Sequence, residues 1–177
     1  MAIKAMIHKA LLNIANMDSH YYAEHNLTIA KHPSETDLRM MVRLIAFIIN
    51  ADEDLAFTKG ISQDDEPDLW KKSLAGEIEL WIELGQPDEK RIKKACGRSR
   101  QVIIYTYQEG MAKAWWKSLQ TSLTRFTNLK VVFIDIEGDI ELLAKRAMNL
   151  QANISDSELT LMEAEQTVFI KENIWMS

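Results

Sequence analysis

Apolar residues recur along this 177-residue chain with two different periods, and the periods divide it into strands and helices. Between 77 and 84 the period is two: Ile78, Leu80, Ile82 and Leu84 fall on one face, and Glu79, Trp81 and Glu83 on the other. Residues 2–16 and 26–31 read as an extended pair joined through Met17–His20, with Ile3, Ala5 and Ile7 alternating against Lys4, Met6 and His8. Residues 55–63 also look extended. The run QVIIYTY at 101–107 is almost continuously β-prone, as in a strand covered on both faces, and LKVVFID at 129–135 is a second such strand. Short extended runs return over 149–175, where they can pair with the N-terminal strands.

The helical period appears first over residues 35–50. Pro33 precedes Ser34, a good N-cap residue, and Asp37 stands three positions on in a weak capping box. Leu38, Met40, Met41, Val42, Leu44, Ile45, Phe47, Ile48 and Ile49 cover most of the circumference, so this helix is expected to be largely buried. Its remaining polar stripe is Glu35, Arg39 and Arg43 at i, i+4 spacing. A second helix starts near Pro87, has Asp88 and Glu89 at its positive end, packs through Ile92, Ala95 and Cys96, and ends at Gly97. A third holds Trp115 and Trp116, one expected in the core and the other half-buried, and a fourth is expected over about 138–148. Strands alternating with helices imply crossover connections and a partly parallel central sheet. The expected architecture is one domain over 1–177, α/β, with a central mixed sheet flanked by helices and an antiparallel extension built from the N- and C-terminal strands.

Composition narrows what such a domain does. Charged residues make up 27% and apolar residues 47%, the balance of an ordinary globular protein. The net charge of −5 excludes a field that attracts nucleic acid over the whole molecule, so any such contact needs a local basic patch. The single cysteine, Cys96, excludes an internal disulfide and a cysteine-rich zinc site. The opening segment lacks the continuous apolar core and small-residue cleavage site of a signal peptide, and no apolar run reaches the roughly 18–20 residues that span a bilayer. The expected location is therefore the cytoplasm, with no membrane partner.

The candidate chemistry lies between Asp64 and Lys94. The acidic loop DDEPD is followed by the strand with Glu79 and Glu83, and then by a helix in which Lys90, Arg91, Lys93, Lys94, Arg98 and Arg100 crowd together. A hairpin of that length brings Asp65 or Asp68 beside Glu83, and two such carboxylates suit magnesium or manganese, which bind through one or two acids plus water and phosphate oxygens. The bland alternative is a solvated acidic turn beside a basic surface helix whose cations favour its C-terminus. His8, His20, His25 and His32 lack zinc-ligand spacing, and no phosphate-binding glycine loop or nucleophile elbow is present. Trp115 and Trp116 are the aromatic pair available for base stacking.

Three segments carry a closer signal: KHPSETDLRMMVRLIAF at 31–47, FTKGISQDDEPDLW at 57–70 and WIELGQPDEKRIKKA at 81–95. With the opening MAIKAMIHKA and the late NLQANIS at 149–155, they resemble the YaeQ family of small bacterial proteins over nearly the whole chain. The resemblance implies a fold like that of the restriction-endonuclease, or PD-(D/E)XK nuclease, superfamily. It implies that Pro67-Asp68 is the first half of the nuclease signature, with Asp65 a rival, that Glu83 is the strand carboxylate, and that Glu35 is an additional acid from the preceding helix. The chain departs from the signature two positions after Glu83, where Gly85 replaces the lysine; taking Glu79 as the carboxylate puts Trp81 there instead. Lys93 or Lys94 from the next helix is then the candidate for a migrated lysine that assists water, with Arg39, Arg43 and Arg91 as contacts to phosphate or supports of the acidic site. Two expectations follow: a magnesium- or manganese-dependent nuclease, or a catalytically silent binding module in which the same charges form an internal ion-pair network.

Overall fold

The computed structural model describes residues 4–59 and 65–177, so Ile3, Asp64 and the expected extended residues 60–63 lie outside the described residues. Among these residues ten strands form one sheet: β1 (Met6–Asn16), β2 (Tyr21–Lys31), β3 (Leu55–Phe57), β4 (Leu69–Lys72), β5 (Ile78–Leu84), β6 (Ser99–Thr106), β7 (Leu129–Glu137), β8 (Ala147–Ser155), β9 (Glu158–Glu163) and β10 (Gln166–Met176). Three α-helices accompany them: α1 (Asp37–Ile49), α2 (Glu89–Arg98) and α3 (Glu109–Leu123). The spatial order is β2-β1-β8-β9-β10-β7-β6-β5-β4-β3. Strands β5, β6 and β7 run parallel, joined by the crossover helices α2 and α3. The antiparallel hairpins β3-β4-β5 lie on one side of them and β10-β9-β8 on the other.

The sheet is wound round α1. Met40 to Ile48 of that helix are all buried, and side chains from every strand join them in one core. Each large apolar side chain so buried contributes roughly 1.5–3 kcal/mol relative to exposure. Curvature brings the two edge strands to the same ring: Phe47 meets His25 of β2 edge-on at 5.1 Å and stacks on Phe57 of β3 at 5.5 Å. The sheet is thus nearly barrel-shaped, with α1 as its filling. A second, smaller core lies outside, where Trp81, Val102, Ile104 and Val131 of β5–β7 pack against Ile92 and Ala95 of α2 and Leu123 of α3. This two-sided cover explains why β6 is buried continuously from Val102 to Thr106.

Several expectations change in detail. The join between the chain ends is not antiparallel: β1 pairs in parallel with β8, because both strands start from the same end of the barrel. On β1 the buried face is His8, Ala10, Leu12 and Ile14, whereas Ile7 is 46% exposed. Neighbouring β2 and β8 set that register, and a parity of one residue decides which side meets α1. No α-helix spans 138–148. Gly138 takes a φ of +115°, where an added Cβ would stand 3.3 Å from the Thr167 carbonyl oxygen, and only a four-residue 3-10 helix, Ile140–Leu143, follows. Met148, Leu150, Ala152 and Ile154 then alternate inward as β8, so strand pairing overrides the local helix preference. Gly97 does not end α2, which runs on to Arg98; Ser99 enters β6 directly and its hydroxyl donates to the Ala95 carbonyl at 2.6 Å. Trp115 and Trp116 are both half-buried: one donates to the Pro87 carbonyl, and the other packs on Trp175. Among the described residues no helix is long and apolar enough to cross a membrane.

Candidate functional site

The N-cap of α1 is Thr36 and not Ser34. Thr36 is extended at φ −75° and ψ 157°, and its side chain accepts from the Arg39 amide. The Ser34 hydroxyl is engaged with His32 Nδ1 instead. Glu35 therefore stands just outside the helix, below the first two turns, within reach of both stripe arginines. Arg39 Nη1 donates to Glu35 Oε2 at 2.9 Å, and Arg43 Nη2 donates to Glu35 Oε1 at 2.6 Å and to the Ala30 carbonyl at 3.0 Å. Glu35 and Arg43 are both buried, and each needs the other there.

Asp68 comes from the other direction. Its backbone amide donates to the Ile82 carbonyl, which places it immediately before β4 in the hairpin ladder with β5. Its side chain accepts from Arg39 Nη2 at 2.7 Å through one oxygen and from the Leu84 amide at 2.9 Å through the other. Glu83 neighbours it on β5. Period two puts Trp81 on the same face, and the indole nitrogen donates to Glu83 Oε1 at 2.9 Å. Arg91, in the first turn of α2, donates to the same oxygen from Nε at 2.8 Å, and its Nη2, also 2.8 Å from that oxygen, donates to the Glu66 carbonyl at 2.8 Å. Burial pushes the Glu83 carboxyl above the usual range; the hydrogen bond from Arg91 opposes this and the nearby Asp68 charge adds to it. Burial also lowers the tendency of Arg39 to stay protonated, but Asp68 and Glu35 more than offset that and hold the guanidinium charged.

These groups meet around a cleft of about 280 Å³ at the carboxyl end of β5, lined by Arg39, Glu66, Pro67, Asp68, Glu83, Leu84, Gln86, Pro87 and Arg91. Four carboxylates (Glu35, Glu66, Asp68, Glu83) stand against three guanidiniums (Arg39, Arg43, Arg91), so the site carries one negative formal charge.

Of the residues singled out in the sequence, Glu35, Arg39, Arg43, Asp68, Glu83 and Arg91 come together. The two loop acids separate: Asp68 faces the cleft, whereas Asp65 is 77% exposed in its side chain and pairs with Lys94. Lys94 and the neighbouring Arg98 hold Asp65 below the ordinary carboxylate range. Lys94 is thereby directed to Asp65, and Lys93 is exposed with no ion pair among the described residues, so Arg91 and neither lysine is the cation on Glu83. Glu79 lies instead beside Lys71, 3.8 Å away. Two participants escaped the sequence reading. Trp81 was legible, being two positions from Glu83; Gln86, whose amide donates to the Thr106 hydroxyl at 3.2 Å, was not, because its partner lies on the next strand.

The donor set is all hard oxygen. Asp68 and Glu83 are adjacent enough for one charge to raise the pKa of the other, and Glu83 Oε2 accepts no hydrogen bond among the described residues. No third His, Cys, Asp or Glu joins them there in a metal-binding group among the described residues. Two carboxylates fit magnesium or manganese, which complete their shells with water and phosphate, and fit zinc or calcium poorly.

The sequence pattern of the YaeQ protein family matches residues 1–172. The chain belongs to the YaeQ family. It is 42% identical to the uncharacterized protein YaeQ of Escherichia coli (strain K12) over 177 residues, covering 99% of this chain and 98% of that one. It is 44% identical to the protein of the same name from Salmonella typhi over 178 residues, with the same coverage. The crystal structure of YaeQ from Xanthomonas axonopodis pv. citri superposes with a TM-score of 0.92 at 40% identity, covering 98% of this chain and 99% of that one. That of YaeQ from Pseudomonas syringae gives 0.90 at 29% identity, covering 98% and 97%. The mixed ten-stranded sheet with its three helices is therefore the fold of the family.

Proposed function

We propose that the cleft is a metal-dependent phosphodiester-hydrolysing site acting on nucleic acid, a variant of the PD-(D/E)XK arrangement. One observation carries this reading: Asp68 at the head of β4 and Glu83 on β5 open into the same cleft as Arg39 and Arg91. The order of a helix, an antiparallel hairpin, a crossover helix and a parallel strand (α1, β4-β5, α2, β6) supports the restriction-endonuclease-like assignment. Asp68 and Glu83 would hold magnesium or manganese, which supplies an activated water and shields phosphate charge. Arg39 and Arg91 orient the phosphate by charge-assisted hydrogen bonds. Lys90, Lys93, Lys94 and Arg98 on α2 form the local basic patch beside the cleft, along which a nucleic-acid backbone can lie.

The test is a calorimetric manganese titration of chelator-treated protein beside Glu83→Gln, followed by a nuclease assay. The expected outcome is saturable binding that the variant loses together with cleavage, while the melting temperature stays close to that of the parent. Binding should also weaken on acidification from a higher pH than an ordinary carboxylate gives: burial keeps Glu83 protonated further up the scale, and only the ionised form binds metal. Undiminished manganese binding by Glu83→Gln would remove Glu83 from the site.

A second reading is favoured by one specific contact, the bridge that Arg39 makes between Glu35 and Asp68. In this reading the charges form a structural lock, and the protein is a silent binding module on the same scaffold. It requires that neither Asp68 nor Glu83 bind metal and that Glu83→Gln destabilise the fold.

A further inference from the structure

Resting on the phosphodiester-hydrolysing reading above, we propose that Arg91 couples metal and phosphate binding: closed on Glu83 as it stands here, it transfers to a phosphate oxygen when a divalent cation takes Glu83, so that cation and phosphate enter the cleft cooperatively.

Charge balance is the first reason. With four carboxylates against three guanidiniums the cleft carries one negative formal charge, and a divalent cation alone reverses it beside Arg39 and Arg91. A phosphate alone meets Glu83 and Asp68, which already occupy those arginines. A phosphodiester alone adds a second negative charge to this partly buried site, and one divalent cation with one phosphodiester brings it to neutrality.

Geometry is the second. The two candidate phosphate ligands are held differently. Arg39 bridges two carboxylates and keeps Glu35 even if Asp68 turns to a metal. Arg91 donates to Glu83 through Nε and to the Glu66 carbonyl through Nη2, its side chain is 27% exposed, and it stands in the first turn of α2 on the cleft wall. A guanidinium that donates to a carboxylate oxygen also donates to a phosphate oxygen, so the Nε donor now on Glu83 can be exchanged to phosphate. A phosphate there also lies against the positive end of α2. The Trp81 indole, meanwhile, stays on Glu83 and keeps its carboxylate oriented when Arg91 leaves.

The probes are Mn2+ and a thymidine dinucleotide with a single phosphorothioate linkage, titrated separately and together into the full-length protein by calorimetry. In the parent protein Mn2+ should raise dinucleotide affinity about tenfold or more, and the dinucleotide should raise Mn2+ affinity by the same factor. Arg91→Gln has a signature that a merely structural residue lacks. It should bind Mn2+ alone more tightly, since the cation competing for Glu83 is gone, while the coupling factor falls towards one. Arg91→Lys, which keeps the charge without the fork, should retain weak Mn2+ binding and lose most of the coupling, and it serves if the glutamine variant melts early. Mn2+ binding in the parent with no effect on dinucleotide affinity overturns the coupling and leaves the metal site standing. Full coupling in both variants overturns the role of Arg91. Absence of Mn2+ binding in the parent overturns the metal-dependent reading and this inference with it.

Discussion

At the scale of single residues, the site depends on how completely each buried charge is answered. Glu35 is the pivot, because Arg43 is buried as deeply and reaches no other carboxylate among the described residues. Removing one partner of such a pair leaves an uncompensated buried charge. Glu35→Ala should therefore cost about 3–5 kcal/mol in urea denaturation, whereas replacing Glu35 and Arg43 together by apolar residues of similar volume should recover much of the loss. A loss below about 1 kcal/mol in the single variant would mean that solvent reaches Arg43. The i, i+4 stripe of Glu35, Arg39 and Arg43 was legible in the sequence because a mostly apolar helix leaves a polar line conspicuous. The bridge from Arg39 to Asp68 was not, since 29 residues separate the two and only the hairpin closes that distance.

At the scale of elements, caps and turns decide where functional side chains are delivered. Thr36 accepts the Arg39 amide and starts α1 two residues later than the Pro-Ser pair suggests, which leaves Glu35 free to fold back on the arginines. Thr36→Ala should destabilise by about 1 kcal/mol, the usual cost of losing an N-cap. Ser34→Ala, an exposed position outside the helix, should stay within about 0.5 kcal/mol. Equal losses in urea denaturation would return the cap to Ser34. The hairpin β4-β5 was recognisable from the acidic loop and the alternation in residues 78–84, and it does bring one loop acid to Glu83. Which acid it brings follows from the ladder: Asp68 is tied by backbone hydrogen bonds to Ile82 and Thr58, and Asp65 lies beyond that ladder among the cations of α2. The basic helix was equally visible. That Arg91 rather than a lysine turns inward follows from Asp88 capping the helix, which sets the rotation of its first turn.

At the scale of the whole molecule, stability and site geometry both depend on the sheet closing round α1. Phe47 touches aromatic rings from both edge strands, so Phe47→Ala should cost about 3–5 kcal/mol and should raise hydrogen exchange in β2 and β3 together. Loosening of β3 alone would show that β2 is held by β1 without help from the helix. Period and composition determined from the sequence that this is an α/β domain, that α1 is buried, that β6 is covered on both faces, and that acids and arginines gather round β5. These are properties of residues close in the chain, where apolar period and charge spacing act directly. Only the tertiary structure decided the parity of β1, the loss of the expected helix at 138–148 to strand β8, the parallel join of the two chain ends, and the choice of Asp68 and Arg91 over Asp65, Lys93 and Lys94. Each of those was settled by contacts between segments distant in sequence, whose pairing energies exceed local preference and leave no periodic trace in the chain.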